Sequence, residues 1–156
     1  MYISNLELLN FRSFKGTHEF YFTNGKNFIV GNNNVGKTTI FEAIDFLFNG
    51  LKRNQEIDDL INNESKDQEM HVMITFSDLS DDVKKSSKIQ PYITSNGTLT
   101  LIRGNKIPAV NTKGKHVILD YKTLLYQNAS SHEFYNPTGI SNATKPYFNP
   151  TIVYAN

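Results

Sequence analysis

The sequence predicts an α/β fold, a mixed sheet with antiparallel N-terminal strands around one loop-bound helix. Three observations carry that reading. Residues 2–9 and 18–22 alternate, at least in part, between apolar and polar side chains, as half-buried strands do. Residues 38–48 place Ile40, Ala43, Ile44, Leu47 and Phe48 on one stripe at helical spacing, with Glu42 and Asp45 off it. Ahead of that stripe stands Gly31-Asn32-Asn33-Asn34-Val35-Gly36-Lys37-Thr38, which satisfies G-x-x-x-x-G-K-[ST] at every fixed position.

The elements follow in order. Asn10-Phe11-Arg12-Ser13-Phe14 is a turn-rich break between the first two strands. Asn24-Gly25 is a hairpin signal, and Asn27 to Val30 is a short apolar strand running into the glycine loop. Asn49-Gly50 ends the helix, the glycine supplying left-handed cap geometry. Residues 51–69 are polar and acidic and read as a short helix and loop, and 70–76 alternate as a strand. The Ser80 hydroxyl is expected to cap a further helix with Asp81 and Asp82 in its first turn, which Pro91 interrupts. Residues 92–94 and 98–102 flank Ser95-Asn96-Gly97 and predict a hairpin. Residues 117–125 fit a strand and a helix equally. Residues 128–150, rich in Asn, Ser, Thr, Gly and Pro, read as a long loop, and 151–154 as a closing strand. The chain stops two residues after that strand, where a turn and another element are expected. Residues 1–156 therefore read as a partial domain.

Composition narrows the function classes. With 156 residues, 38% of them hydrophobic, the chain suits one domain with a real core and is too apolar for disorder. The formal net charge of +1 gives no overall pull toward nucleic acid or anionic membrane. The absence of cysteine excludes disulfides and thiolate metal sites. The four histidines show no paired spacing, and no Ser/His/Asp arrangement is arguable. No leader pattern opens the chain, and no apolar run approaches the roughly 20 residues that span a bilayer. A cytoplasmic location with no membrane partner is the expectation.

Charge is unevenly placed. Residues 51–82 carry three basic and nine acidic side chains, and residues 83–156 carry nine basic and two acidic. Solvated loop faces are the ordinary explanation. The functional explanation is that Arg103, Lys106, Lys113, Lys115 and Lys122 face a nucleic acid or a partner.

The loop motif carries the chemistry. Gly31 and Gly36 let the backbone curl tightly and approach phosphate oxygens. Successive backbone amides through Asn32, Asn33, Asn34 and Val35 then point at a β-phosphate, helped by the positive end of a helix starting near Lys37. Lys37 reaches the β- and γ-phosphates, and the Thr38 hydroxyl coordinates Mg²⁺. The candidate ATP-binding set thus runs from Gly31 through Thr38 to Thr39, with Thr38 as the metal-ligating residue. Arg12 and Ser13 form a second constellation, since an arginine in that break reaches toward a nucleotide phosphate. On these residues alone, an exposed arginine near a turn is the stronger reading.

Leu9-Asn10-Phe11-Arg12-Ser13-Phe14, then Phe28-Ile29-Val30 entering the loop, then Ile40-Phe41-Glu42-Ala43-Ile44, resemble the N-terminal ATPase lobe of SMC, RecF and OLD-family proteins. Within that group, Asn33-Asn34 and the run Ile74-Thr75-Phe76-Ser77-Asp78-Leu79-Ser80 look most like OLD-family ATP-dependent endonucleases and related anti-phage ATPases. The likeness covers about residues 1–110 and the closing strand. It implies a P-loop NTPase of ABC type, first lobe only, with Arg12-Ser13 lining the nucleotide site. It implies ATP and Mg²⁺ as cofactors, DNA as a partner of the whole protein, and pairing of heads into a dimer or higher oligomer. The family's glutamine loop, signature motif, acidic pair and switch histidine are not recognisable, so no catalytic residue is assigned. A head of a RecF- or SMC-like repair or chromosome-structure protein without nuclease activity is the competing reading.

Overall fold

The computed structural model describes residues 1–23 and 34–137, without the side chains of Asn34, Val35 and Lys37. Strands β1 (Tyr2–Phe11) and β2 (Phe14–Tyr21) open the chain, followed by helix α1 (Asn34–Asn49), strand β3 (His71–Ser77), helix α2 (Asp81–Lys85) and strand β4 (Leu99–Gly104). Strands β5 (Ile107–Val110), β6 (His116–Leu119), β7 (Leu125–Gln127) and β8 (Phe134–Tyr135) complete the order, with 3₁₀ turns at Ile57–Asp59 and Gln90–Tyr92. The strands form one sheet in the order β2-β1-β3-β4-β7-β8-β5-β6. Neighbours are antiparallel except β5 and β8, so the sheet is mixed, as expected.

The core lies between this sheet and α1. In β1 the alternation buries Ile3, Leu6 and Leu8, and in β3 it buries Val72, Ile74 and Phe76. The expected α1 stripe is buried throughout, from Ile40 to Phe48. Phe46, off that stripe, is buried as well. It meets Phe11 from the end of β1 with ring centroids 6.3 Å apart, while Phe48 packs on Phe76 at 6.0 Å. Gly50 takes φ 73° and returns its amide to the Phe46 carbonyl at 2.8 Å, the expected helix stop.

Arg103 does not face a partner. It is 7% exposed and ties α1 to the sheet, donating from Nε to the Leu47 carbonyl at 2.8 Å and from Nη1 to the Tyr121 carbonyl at 2.9 Å. Burial pushes its pKa down to about 10, which leaves it charged at neutral pH. The cation sits at the negative end of α1, where the helix dipole favours it. Lys106, Lys113, Lys115 and Lys122, the other members of the proposed basic face, are exposed.

Other expectations are corrected. Helix α1 begins at Asn34, inside the loop motif rather than after it. Ser80 stands at the N-cap of α2 with extended backbone, but its hydroxyl makes no capping bond. The turn around Ser95-Asn96-Gly97 exists, closed by Thr94 N–H to the Thr98 carbonyl at 2.9 Å. It is not a two-strand hairpin: Pro91 favours the 3₁₀ turn before it, and β4 pairs instead with β3 and β7. Residues 117–125 resolve into the end of β6, a turn and the start of β7. Strand β5 was not foreseen, and β8 falls within the expected long loop. The signals at Asn24-Gly25, Asn27 to Val30 and 151–154 lie outside the described residues. Among those described, no helix is long and apolar enough to cross a membrane.

Replacing Arg103 with Met is expected to leave the Leu47 and Tyr121 carbonyls without that donor and to cost about 1–3 kcal/mol. Urea unfolding followed by circular dichroism measures this; an unchanged midpoint would mean that α1 does not depend on the tie.

Candidate functional site

The second half of the glycine motif is the first turn of α1. Asn34, Val35, Gly36, Lys37, Thr38 and Thr39 are its first six residues, so the amides here run parallel to the helix axis at its positive end. Gly31, Asn32 and Asn33 lie outside the described residues, as do the side chains of Asn34, Val35 and Lys37. Gly36 is half-buried, Thr38 is exposed and Thr39 is buried. Among the described residues no group of three or more His, Asp or Glu side chains could hold a metal ion. A single threonine hydroxyl suits Mg²⁺, which takes most of its ligands from phosphate and water.

The Arg12-Ser13 turn is built by a bulge. The β1–β2 register shifts between Leu9 and Phe11, and Asn10 adopts φ 51°. Two successive side chains, Asn10 and Phe11, therefore both point inward and are buried. Arg12 also takes φ 51°, a left-handed conformation that costs a non-glycine residue about 1–2 kcal/mol. The 60–62 segment holds it there. The Arg12 amide donates to the Leu60 carbonyl at 2.8 Å, and Asn62 Nδ2 donates to the Arg12 carbonyl at 2.6 Å. Asn62 also donates its amide to the Asn10 carbonyl at 2.8 Å, and Asn10 in turn bonds Glu69 and Gly16 through its side chain.

The Arg12 side chain is fixed separately. Its Nε donates to Glu42 Oε1 at 2.5 Å and its Nη2 to Glu42 Oε2 at 3.0 Å, a two-pronged pair. The hydrogen bond to Glu42 raises the Arg12 pKa, against the opposing effect of burial, with smaller support from the Glu42 and Asp59 charges. Arg12, Ser13 and Thr39 line one cleft together with Asp59, Asn62 and Glu64. Three of the residues expected at a nucleotide site thus meet in one depression, and Thr38 precedes Thr39 on the same helix.

Sequence reasoning missed Glu42, Asn62 and Asn10. For Glu42 there was a signal: an acidic side chain one helical turn beyond Thr38 and off the apolar stripe. For the two asparagines there was none, since the bonds that tie the turn together run from Asn10 to the Glu69 carbonyl and from Asn62 to the Arg12 carbonyl, 59 and 50 residues away.

A family model, the AAA ATPase domain, matches residues 1–152. The DNA double-strand break repair Rad50 ATPase of Thermoplasma acidophilum is 39% identical over 72 residues, 46% of this chain and 8% of that protein. The DNA replication and repair protein RecF of Francisella tularensis subsp. novicida is 48% identical over 63 residues, 40% of this chain and 18% of that protein. The matched segment is therefore less than a fifth of either relative. Among solved structures, the Smc head domain from Pyrococcus yayanosii superposes with a TM-score of 0.56 at 24% identity, covering 94% of this chain and 25% of that one. A structure from work on ATP-driven dimerization and DNA-stimulated activation of SMC ATPases gives 0.54 at 22%, covering 100% and 81%. At these identities the likeness is one of fold, that of an ABC-type ATPase head.

Asn62→Ala is expected to release the Arg12 carbonyl and cost about 1–3 kcal/mol of stability. Chemical denaturation measures it, and a loss below about half a kcal/mol, the range of ordinary surface substitutions, would show that the turn is held by other means.

Proposed function

Because the chain belongs to the AAA ATPase domain family, matched over nearly its whole length, we propose that it binds ATP with Mg²⁺ through Gly31, Asn32, Asn33, Asn34, Val35, Gly36, Lys37, Thr38 and Thr39, beside Arg12 and Ser13. The observation that carries this reading is the complete motif running directly into α1, with Arg12, Ser13 and Thr39 on one cleft. In this assignment Lys37 neutralises the β- and γ-phosphates, and Thr38 offers its hydroxyl to Mg²⁺. Residues 1–156 form the first lobe of an ABC-type head. The groups that polarise the attacking water belong to no motif found in these residues, and no catalytic role is assigned to any of them.

The finer reading is that the head controls a DNA endonuclease of OLD type in phage defence. Asn33-Asn34 in the loop and the run from Ile74 to Ser80 support it. ATP binding would favour pairing of two heads, and pairing would set whether the nuclease engages. Such a switch works only when the nucleotide binds one arrangement better than the other. The alternative, a head of a repair or chromosome-structure protein that does not cut DNA, has its support in the names of the Rad50 and RecF relatives.

Lys37→Ala is expected to abolish binding of a fluorescent ATP analogue while circular dichroism shows an intact fold. Unchanged affinity in the folded variant would sink the phosphate-loop assignment. The two branches separate in a plasmid-cleavage assay on the whole protein with Mg²⁺ or Mn²⁺, with and without ATP. The OLD reading expects metal-dependent cleavage that responds to nucleotide and to Lys37→Ala, and no cleavage under any condition favours the repair-machine reading.

A further inference from the structure

Glu42 takes no part in the phosphate loop as assigned above, and it lies off the apolar stripe that anchors α1. Its carboxylate is nevertheless committed on both oxygens to Arg12, thirty residues away in sequence. Stability alone is a weak reason for this pair. The two side chains are 39% and 22% exposed, and even a two-pronged pair at such a half-exposed place adds only modestly to folding. Their placement is more informative. Glu42 stands one turn beyond Thr38, so its side chain leans back toward the first turn of α1. Arg12 lines the cleft that Thr39 shares.

The pair also has a directional consequence. Glu42 takes the Nε and Nη2 side of the guanidinium and does not use Nη1. The Arg12 backbone is fixed at φ 51° by Leu60 and Asn62. Both ends of a long, rotamer-rich side chain that lines the cleft are therefore constrained.

We propose that Glu42 is the positioning residue for Arg12: it holds the guanidinium in place so that the remaining end of the fork meets a phosphate oxygen of bound ATP without first being ordered. The proposal rests on the nucleotide-site reading given above. Its energetic basis is preorganisation, since immobilising one such side chain at the moment of binding costs affinity. Arg12 in turn neutralises the Glu42 charge. A bare carboxylate one turn from the phosphate loop would repel the triphosphate, and the Arg12 pair removes that penalty.

The test is a titration of a fluorescent ATP analogue, with Mg²⁺, against wild type, Glu42→Ala, Glu42→Gln, Arg12→Ala and the double Arg12→Ala/Glu42→Ala variant. Glu42→Ala is expected to bind about three- to tenfold more weakly, the loss of one ordered side chain. Glu42→Gln, which keeps the shape and one acceptor, falls between it and wild type. The double variant binds no more weakly than Arg12→Ala alone, because without Arg12 the Glu42 carboxylate has no guanidinium to position and only its repulsion is left to lose. A merely structural role would not produce that non-additivity, and melting of the nucleotide-free variants should stay near wild type. Tighter binding by Glu42→Ala, unchanged binding, or a loss that adds to that of Arg12→Ala would each overturn the proposal. Lys37→Ala separates the two levels: loss of binding there with no effect of Glu42→Ala defeats this inference alone. A wild type that binds no nucleotide defeats both.

Discussion

Burial of α1 against the sheet is the constraint from which the rest follows. Ile40, Ala43, Ile44, Phe46, Leu47 and Phe48 enter the core together, and a fully buried Leu, Ile or Phe side chain contributes about 1.5–3 kcal/mol. That face is set by the helical period, so the opposite face and both ends of the helix have no freedom of their own. The N-terminal turn carries the second half of the glycine motif, and Glu42 one turn later is carried outward to meet Arg12. The C-terminal turn is closed by Gly50 and by the cation of Arg103. A buried arginine without a carboxylate partner is costly, and its hydrogen bonds to two carbonyls, one on the helix and one on the loop before β7, offset that cost.

A second set of restraints is polar. Asn10, Asn62 and Ser65 are buried, yet no side-chain polar atom among the described buried residues lacks a hydrogen-bond partner. Their partners are mostly backbone groups of two loops that the sheet alone would not bring together: the turn after β1 and the segment around the 3₁₀ turn Ile57–Asp59. Satisfied networks of this kind fix one arrangement, because any shift would strand a desolvated group. The left-handed backbone at Asn10 and Arg12 is maintained in this way. Strain of that sort persists only where the surroundings over-determine it, and here one of the two residues, Arg12, lines the proposed nucleotide cleft.

Much of this was legible in the sequence, and the limits have physical causes. The alternation of β1 and β3, the α1 stripe and the Gly50 stop are local periodicities and appear where expected. Helix α1 starts at Asn34, three to four residues ahead of the expected start near Lys37 or Thr38, because a glycine inside the motif carries a loop signal that the helix overrides. Strand β5 was missed because four residues with a proline among them carry almost no periodic signal. The Ser95-Asn96-Gly97 turn was read correctly as a turn and wrongly as a hairpin, because turn chemistry is local and strand pairing is not. Of the candidate site, Arg12 and Ser13 stand out through the resemblance to SMC, RecF and OLD-family heads, their place in a break between strands being too weak a signal alone. Glu42, Asn62 and Asn10 could not be linked to Arg12 without the fold, since their separations range from two to fifty residues and no short motif joins them.

The charge asymmetry takes on a different meaning once it is placed on the sheet. The acidic segment is not only a solvated loop: Asp59 and Glu64 line the same cleft as Thr39, and the Asp59 charge helps to raise the Arg12 pKa. The basic segment is not one face: Arg103 is inside, while Lys113 and Lys115 sit on the β5–β6 turn at the other end of the strand order. The Arg12 turn at the end of β1 and the lysine turn after β5 are therefore apart in the strand order, with strands β3, β4, β7 and β8 between β1 and β5. Exposed charges separated by more than a Debye length, about 8 Å at physiological ionic strength, are largely screened from one another. Five successive strand spacings, from β1 across to β5, at about 4.8 Å each exceed that length. The lysine turn consequently adds little to phosphate attraction at the cleft, whose described charged lining is Arg12, Asp59 and Glu64, the last paired with Lys15 at 3.8 Å.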